Sequence, residues 1–110
     1  MQLNIKATNI ELTSEIKDYV QKKVDMLDKF LGKIQTLNAS FEVELITNHH
    51  LKGEIYRAEM NLEILGELLR VEKTEKDLFK AIEKVKEHMA EIIKKYKEKK
   101  IDGKRMAKLE

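Results

Sequence analysis

Three kinds of side chain in this 110-residue chain could do chemistry: histidines, a few serines, and lysines concentrated near the C-terminus. His49 and His50 are adjacent in the segment NHHLKG, whose composition is typical of a loop. With Lys52 or Tyr56, His50 could form an acid–base pair that cleaves RNA, because such a pair requires only the right geometry. Histidine pairs in loops are more often solvated than bound to metal, so we expect solvated side chains here.

The other candidates lack the companions that catalysis or metal binding needs. His88 and Glu91 have the i, i+3 spacing of a metal-binding helix, but one such motif without a second does not make a site. Ser14 and Ser40 have no histidine at a recognisable spacing, no glycine-rich loop could hold a nucleotide, and cysteine is absent. We therefore expect a protein that is not an enzyme and that binds no metal, cofactor or small-molecule substrate.

The lysines are the strongest functional signal, because they crowd into the segment EIIKKYKEKK at positions 91–100. Positions 80–110 carry eleven Lys and Arg against six Asp and Glu, a net charge of +5, whereas the rest of the chain carries eleven against fourteen, or −3. Lysines in a last helical turn also complement the helix dipole, so a solvated helix end is the alternative interpretation. A second basic flank, with Lys22, Lys29 and Lys33, favours one positive surface on two helices that binds phosphates.

Hydrophobic periodicity predicts six elements that position these residues. Alternating apolar and polar residues indicate four strands, and apolar residues at intervals of three and four indicate two helices. Thr13 and Gly32 are predicted to bound the first helix, and a capping box of Thr74 with Asp77 to start the second. The predicted elements, in order, are a strand at 3–7, a helix at 14–31, strands at 37–45, 56–64 and 69–71, and a helix that begins at 78 and continues past its last apolar position, Tyr96, through the lysines up to 100.

This order predicts an α+β fold, β-α-β-β-β-α, with a four-stranded mixed sheet and two helices packed on one face. The long connection between the first two strands favours a parallel pair, and an antiparallel meander follows. Each strand has one apolar face, so the other should be open to water. On that open face the alternation places mainly glutamates, while Phe41 and Tyr56 point inward. An acidic sheet without exposed rings does not suit RNA, which leaves the helices as the predicted binding surface.

The length of the chain is that of one domain. We assign residues 1–100 to an α+β domain and residues 101–110 to a basic C-terminal tail or the start of a linker. No apolar run approaches the ~20 residues of a membrane span, and the N-terminus has no secretory pattern. We expect a soluble, cytoplasmic protein without a membrane partner.

Two segments carry a pattern that is found in one protein family. The first, MQLNIKATNIELTSEIKDYVQKKVDMLDKFLGKI, has an N-terminal strand with NI, an ELT lead-in and a helix with YVQKK. The second, DLFKAIEKV followed by KKYKEKK, has an aspartate, a hydrophobe, an aromatic residue and AI before a lysine-rich helix end. These segments resemble the ribosome hibernation promoting factor and ribosome-associated inhibitor family. The resemblance covers nearly the whole chain and agrees with the predicted fold.

The resemblance implies a domain that binds the small ribosomal subunit and its rRNA in bacteria. There it would occupy the channel of messenger and transfer RNA and inhibit translation under stress. The resemblance also implies that Asp77 largely caps the second helix, and that Phe79 and Ile82 pack that helix on the sheet. The family's basic positions and the two basic flanks together give the predicted RNA-binding residues, which are Lys17, Lys22, Lys23, Lys29, Lys94, Lys95, Lys97 and Lys99.

The chain departs from the family pattern in the second helix. Where relatives often have a basic residue and then an Arg-Gln pair three positions later, this chain has His88 and then Glu91 and Ile92. The missing cations shift the expected contacts towards the lysines that follow. The second domain of the long form, which dimerises ribosomes, is absent, so we expect either a short form or part of a longer chain.

Two alternatives to a ribosome-specific function stay open at this point. A general double-stranded RNA-binding module would use the same helices and the same lysines. An RNA-cleaving enzyme would use His49 or His50, and it is the less favoured of the two because no convergent catalytic motif supports it.

Overall fold

The computed structural model describes residues 1–46 and 53–109, and only the backbone of residues 100–109. Within this part the chain forms four strands and three helices. In order they are β1 (Asn4–Thr8), α1 (Ser14–Asp25), α2 (Asp28–Leu31), β2 (Thr36–Ile46), β3 (Ile55–Ile64), β4 (Glu67–Glu75) and α3 (Leu78–Leu109). In the same part, no helix combines the length and the apolar character needed to cross a membrane.

The strands form one mixed sheet in the order β1-β2-β3-β4. β1 runs parallel to β2, with Ile5 opposite Phe41, and β2, β3 and β4 form an antiparallel meander. Leu65 and Gly66 form the two-residue loop between β3 and β4, where a φ of 83° requires glycine's freedom. These pairings confirm the predicted α+β fold with a four-stranded mixed sheet.

The helices cover one face of the sheet and enclose an apolar core. Alternate strand residues face this core, and among them Val43 and Met60 are completely buried. The apolar stripes of α1 and α3 close the core from the other side, where Val24 and Val85 are also completely buried. α1 and α2 pack against α3, which in turn packs on β3 and β4. Ile93 is the last fully buried side chain described on α3, so this helix continues past the core.

The helix predicted over 14–31 is divided in the structure, because the chain turns at Met26 and Leu27 between α1 and α2. Within the turn, the N–H of Leu27 donates to the carbonyl of Val24, three residues back, at 2.9 Å. The apolar spacing does not reveal this break, since Leu27 and Leu31 keep to the buried side of the segment.

The two outer ends of this divided segment lie where the sequence placed them. Thr13 caps α1, because its hydroxyl oxygen accepts a hydrogen bond from the N–H of Ile16 at 3.2 Å. Gly32 follows α2 with a φ of 56° and a ψ of −116°, so the helix ends at a residue whose positive φ favours glycine. Both predictions are therefore confirmed.

The start of α3 differs from its prediction. Thr74 lies within β4, so the predicted capping box of Thr74 with Asp77 is wrong. Asp77 caps the helix by itself, because its Oδ1 accepts from the N–H of Phe79 at 2.9 Å and from that of Lys80 at 3.4 Å. The Asp77 carboxylate thus satisfies two of the four N–H groups that lack an intrahelical partner in the first turn.

Candidate nucleic-acid interface

The outer face of the sheet is acidic, and its charges form a network around Arg57. The guanidinium donates hydrogen bonds to Glu42 at 2.5 Å, to Glu44 at 2.7 Å and to Glu59 at 2.9 Å. Glu72 lies 3.7 Å from the same group. Four carboxylates share one guanidinium here, so this part of the face keeps a net negative charge.

These contacts favour the ionised carboxylates. A hydrogen bond from Thr8, followed by the guanidinium at the centre of the network, lowers the pKa of Glu42. Burial opposes the ionisation of Glu59, but hydrogen bonds from Asn61 and Arg70 outweigh it, so the pKa of Glu59 also falls below its usual value. The face is therefore anionic at neutral pH and repels a phosphate backbone.

The aromatic residues of the strands lie on the other face. Phe41 is 1% exposed, and Tyr56 packs against the core from its margin. Both positions were predicted to point inward, and both predictions are confirmed. RNA-binding sheets stack bases on exposed rings, and neither ring is in a position to do so from the outer face.

The predicted acid–base pair is only partly within the structure, because His49, His50 and Lys52 lie outside the described residues. The hydroxyl of Tyr56 donates a hydrogen bond to the Glu54 carboxylate at 2.7 Å. This bond raises the pKa of the Tyr56 hydroxyl above its ordinary value, because the negative partner favours the protonated form. Near neutral pH, Tyr56 therefore retains its proton.

His88 and Glu91, the residues with metal-binding spacing, do not meet a third ligand. In residues 1–46 and 53–99, no three His, Cys, Asp or Glu side chains come together in a way that could hold a metal ion. His88 is half-buried beside Lys73 of β4, and its Nδ1 has no hydrogen-bond partner among the described residues. Glu91 is exposed, so the departure from the family pattern places a carboxylate on the surface of α3.

Cations from two helices meet around the ring of Phe30 in α2. Lys29 Nζ lies 5.0 Å from the ring centroid, and Lys94 Nζ, from α3, lies 4.7 Å from it. Lys97 Nζ, one turn further along α3, donates to the backbone carbonyl of Phe30 at 2.9 Å. We call these three lysines the Phe30 cluster. They bring positive charge from α2 and α3 to one place.

Lys23 joins α1 to α3 nearer the middle of the helix layer. Its ammonium lies 3.4 Å from the Glu83 carboxylate of α3 and 5.3 Å from the centroid of the Tyr19 ring. Its side chain is only 14% exposed. The charge of Lys23 is therefore largely shielded from solvent and paired with Glu83.

The four lysines predicted on α3 lie on two flanks of that helix. With a rotation of about 100° per residue, Lys94 shares the side of Glu83, which faces α1. Lys95 lies two turns beyond His88, on the side that faces β4, and Lys99 follows one turn later on the same side. Lys94 is therefore on the flank of α3 that faces α1, whereas Lys95 and Lys99 are on the flank that faces β4.

The remaining two predicted lysines belong to α1 and lie apart from each other. Lys22 lines a cleft with Tyr19 and Phe79, on the side of α1 that faces α3. Lys17 is about 160° from Tyr19 around the helix axis, on the opposite flank. Of the eight predicted lysines, four are exposed and have no hydrogen bond, ion pair or ring contact with any described residue, namely Lys17, Lys22, Lys95 and Lys99.

Comparison with known proteins identifies relatives of the whole domain. The family described as Sigma 54 modulation protein / S30EA ribosomal protein matches residues 3–101. The chain is 30% identical over 97 residues to a ribosome hibernation promotion factor of Lactococcus lactis, a match that covers 88% of this chain and 50% of that protein. It is 28% identical over 99 residues to a ribosome hibernation promoting factor of Klebsiella oxytoca, covering 90% of this chain and 96% of the relative.

A solved structure gives the same result. The Thermus thermophilus Protein Y N-terminal domain superposes with a TM-score of 0.72 at 29% identity, covering 87% of this chain and 99% of that domain. The chain thus spans about half the length of the Lactococcus protein and nearly all of the Klebsiella protein. The chain belongs to the Sigma 54 modulation protein / S30EA ribosomal protein family, and the resemblance of its sequence to the ribosome hibernation promoting factors is confirmed.

Proposed function

We propose that this protein is a non-enzymatic inhibitor of translation that binds the small ribosomal subunit in the bacterial cytoplasm. It covers the channel for messenger and transfer RNA with the solvent-facing side of its helix layer. Family membership supports the ribosome as partner, since the relatives matched over this segment are hibernation factors by name. The observation that carries the binding surface is the Phe30 cluster, where cations of two helices converge.

Electrostatics favours the helix layer over the sheet. Lysines neutralise phosphates and release counterions without reading the bases, so they suit an rRNA surface of fixed shape. The ammonium groups of Lys22, Lys95 and Lys99 have no partner within the described chain, so phosphate contact costs no internal interaction. On the opposite face of the molecule, the anionic network around Arg57 repels RNA phosphates.

The eight predicted lysines divide by what each already contacts. The phosphate contacts that we propose come from five of these lysines, all of them exposed, which are Lys22, Lys29, Lys94, Lys95 and Lys99. Lys23 pairs with Glu83, and Lys97 donates to the Phe30 carbonyl. These two lysines position the helices relative to each other rather than contact phosphate directly. Lys17 lies on the outer flank of α1, so it would contact RNA only where the RNA extends around that helix.

The test is sedimentation of the protein with purified small subunits, with and without initiator transfer RNA. We expect the protein to co-sediment, and we expect initiator transfer RNA to displace it because the two occupy one channel. Equal affinity for the subunit and for an arbitrary RNA duplex at physiological salt would contradict ribosome specificity and support a general RNA-binding module. Degradation of the RNA by the wild-type protein, lost on replacing His49 and His50, would support the enzymatic alternative instead.

A further inference from the structure

We propose that Tyr19 and Phe79 form a stacking site for one unpaired RNA base, and that guanine is the base this site fits best. The site is the cleft between α1 and the first turns of α3. The inference rests on the proposed function for its ligand class, which is RNA. It adds a contact to a base, which lysine–phosphate pairs do not supply.

The two rings form an aromatic pair at the margin of the core. Their centroids are 4.9 Å apart and their planes are nearly perpendicular, at 89°. Ile82, three residues beyond Phe79, is fully buried in the core, whereas Phe79 and Tyr19 remain partly exposed. An edge-to-face pair leaves ring surface uncovered, and here that surface borders an open cleft.

The cleft has the size and lining of a small aromatic ligand site. It has a volume of about 350 Å³ and is lined by Glu15, Asp18, Tyr19, Lys22 and Phe79. Most of its lining surface is apolar, which suits a base that leaves water on stacking. Proteins that bind single strands place aromatic rings beside a cationic path for the backbone, and Lys22 supplies a cation at this cleft.

Phe30, a further aromatic residue of the helix layer, has different neighbours. Phe30 has the ammonium groups of Lys29 and Lys94 within 5.0 Å of its centroid, so cations cover it. Within the pair, Lys23 Nζ lies 5.3 Å from the Tyr19 centroid, whereas the ring of Phe79 has no such cation among the described residues. A neutral base therefore finds its uncovered aromatic surface at Phe79 rather than at the Phe30 cluster.

The carboxylates of the cleft select among the bases. Glu15 and Asp18 are exposed and, when ionised, can only accept hydrogen bonds. The Watson–Crick edge of guanine presents two adjacent N–H donors, which one carboxylate can accept together. Uracil presents a single N–H between two carbonyl oxygens, and those oxygens are repelled by a carboxylate. The lining therefore favours guanine over uracil at the stacking position.

The experiment measures binding of two short single-stranded RNAs by fluorescence anisotropy. One is an oligouridine, and the other is the same strand with one central guanine. We expect the wild-type protein to bind the guanine strand more tightly. Phe79→Leu keeps an apolar side chain but removes the ring, and should weaken binding of that strand by between about 5-fold and about 150-fold, the effect of losing one stacked base. Phe79→Tyr, which keeps a ring, should restore it.

Two further variants test the site even if Phe79→Leu does not fold. Asp18→Asn and Glu15→Gln change exposed side chains and should reduce the preference for guanine over uracil without lowering affinity for the oligouridine. Equal wild-type affinity for the two strands, or full affinity of a folded Phe79→Leu protein for the guanine strand, would overturn the stacking site. Sedimentation of the wild type with small subunits is scored separately, so failure of the stacking site and failure of the ribosome proposal are distinct results.

Discussion

Replacing Arg57 tests whether the network on the outer sheet face stabilises the fold as its geometry indicates. The guanidinium makes three hydrogen-bonded ion pairs at 2.5, 2.7 and 2.9 Å, and its side chain is 15% exposed. Exposed ion pairs contribute about 0.2–1 kcal/mol each, and breaking a fully buried pair costs about 3–5 kcal/mol. Because the burial of Arg57 is intermediate, Arg57→Met should lower the free energy of unfolding by about 2–3 kcal/mol at neutral pH.

The measurement is thermal unfolding followed by circular dichroism. A domain of about 100 residues loses roughly 4 °C in Tm per kcal/mol, so Arg57→Met should lower Tm by about 8–12 °C. Arg70→Met is the matched control, because Arg70 lies on the same face, is 62% exposed and makes one ion pair, with Glu59 at 3.0 Å. That control should cost less than about 1 kcal/mol.

The difference in the free energy of unfolding between the wild type and Arg57→Met should decrease as the pH is lowered. The folded pKa of Glu42 and that of Glu59 lie below the unfolded value, which is about 4.3 for glutamate. The stability that these carboxylates contribute is present above that value and is lost as the pH falls through their folded pKa. The gap in stability between wild type and Arg57→Met should therefore narrow below about pH 4. A gap that is unchanged at about pH 3, or absent at neutral pH, would refute the reasoning.

Two further predictions concern the helix layer. Lys97→Met removes a charged donor from the Phe30 carbonyl and should lower the free energy of unfolding by about 1.5–3 kcal/mol in urea denaturation, whereas Lys95→Met should change it by less than about 0.5 kcal/mol. Equal effects would contradict a structural role for Lys97. Asp77→Ala removes the α3 cap and should lower the free energy of unfolding by about 1 kcal/mol in the same assay. An unchanged denaturation midpoint would show that water satisfies these N–H groups equally well.

Period-two alternation predicted the sheet well, because one face of each strand is buried and a one-residue slip would expose its whole apolar set. Phe41 therefore pointed inward as expected. The break between α1 and α2 was not predictable, since Leu27 is buried whether the helix continues or turns. The sequence pattern is the same in both cases, and only the three-residue hydrogen bond to Val24 distinguishes them.

For the candidate interface, the sequence identified the residue type but not each residue's contacts. Lys94 and Lys95 are adjacent in the same lysine run, yet they face different neighbours because about 100° separates them on α3. The contact of Lys97 with Phe30, and that of Tyr19 with Phe79, depends on how the helices dock against each other. Neither contact follows from spacing within one helix, because each joins residues far apart in the chain.

The central claim is that the helix layer, and not the sheet, binds ribosomal RNA. Its most direct test is the affinity for small subunits as a function of salt, for Lys95→Gln with Lys99→Gln and for Lys6→Gln with Arg70→Gln. Each pair removes two positive charges, the first from α3 and the second from the outer sheet face. We predict that the α3 pair weakens binding and reduces the slope of log affinity against log salt by about 2, while the sheet pair leaves both near wild type. Equal losses from the two pairs, or an unchanged slope for the α3 pair, would contradict the claim.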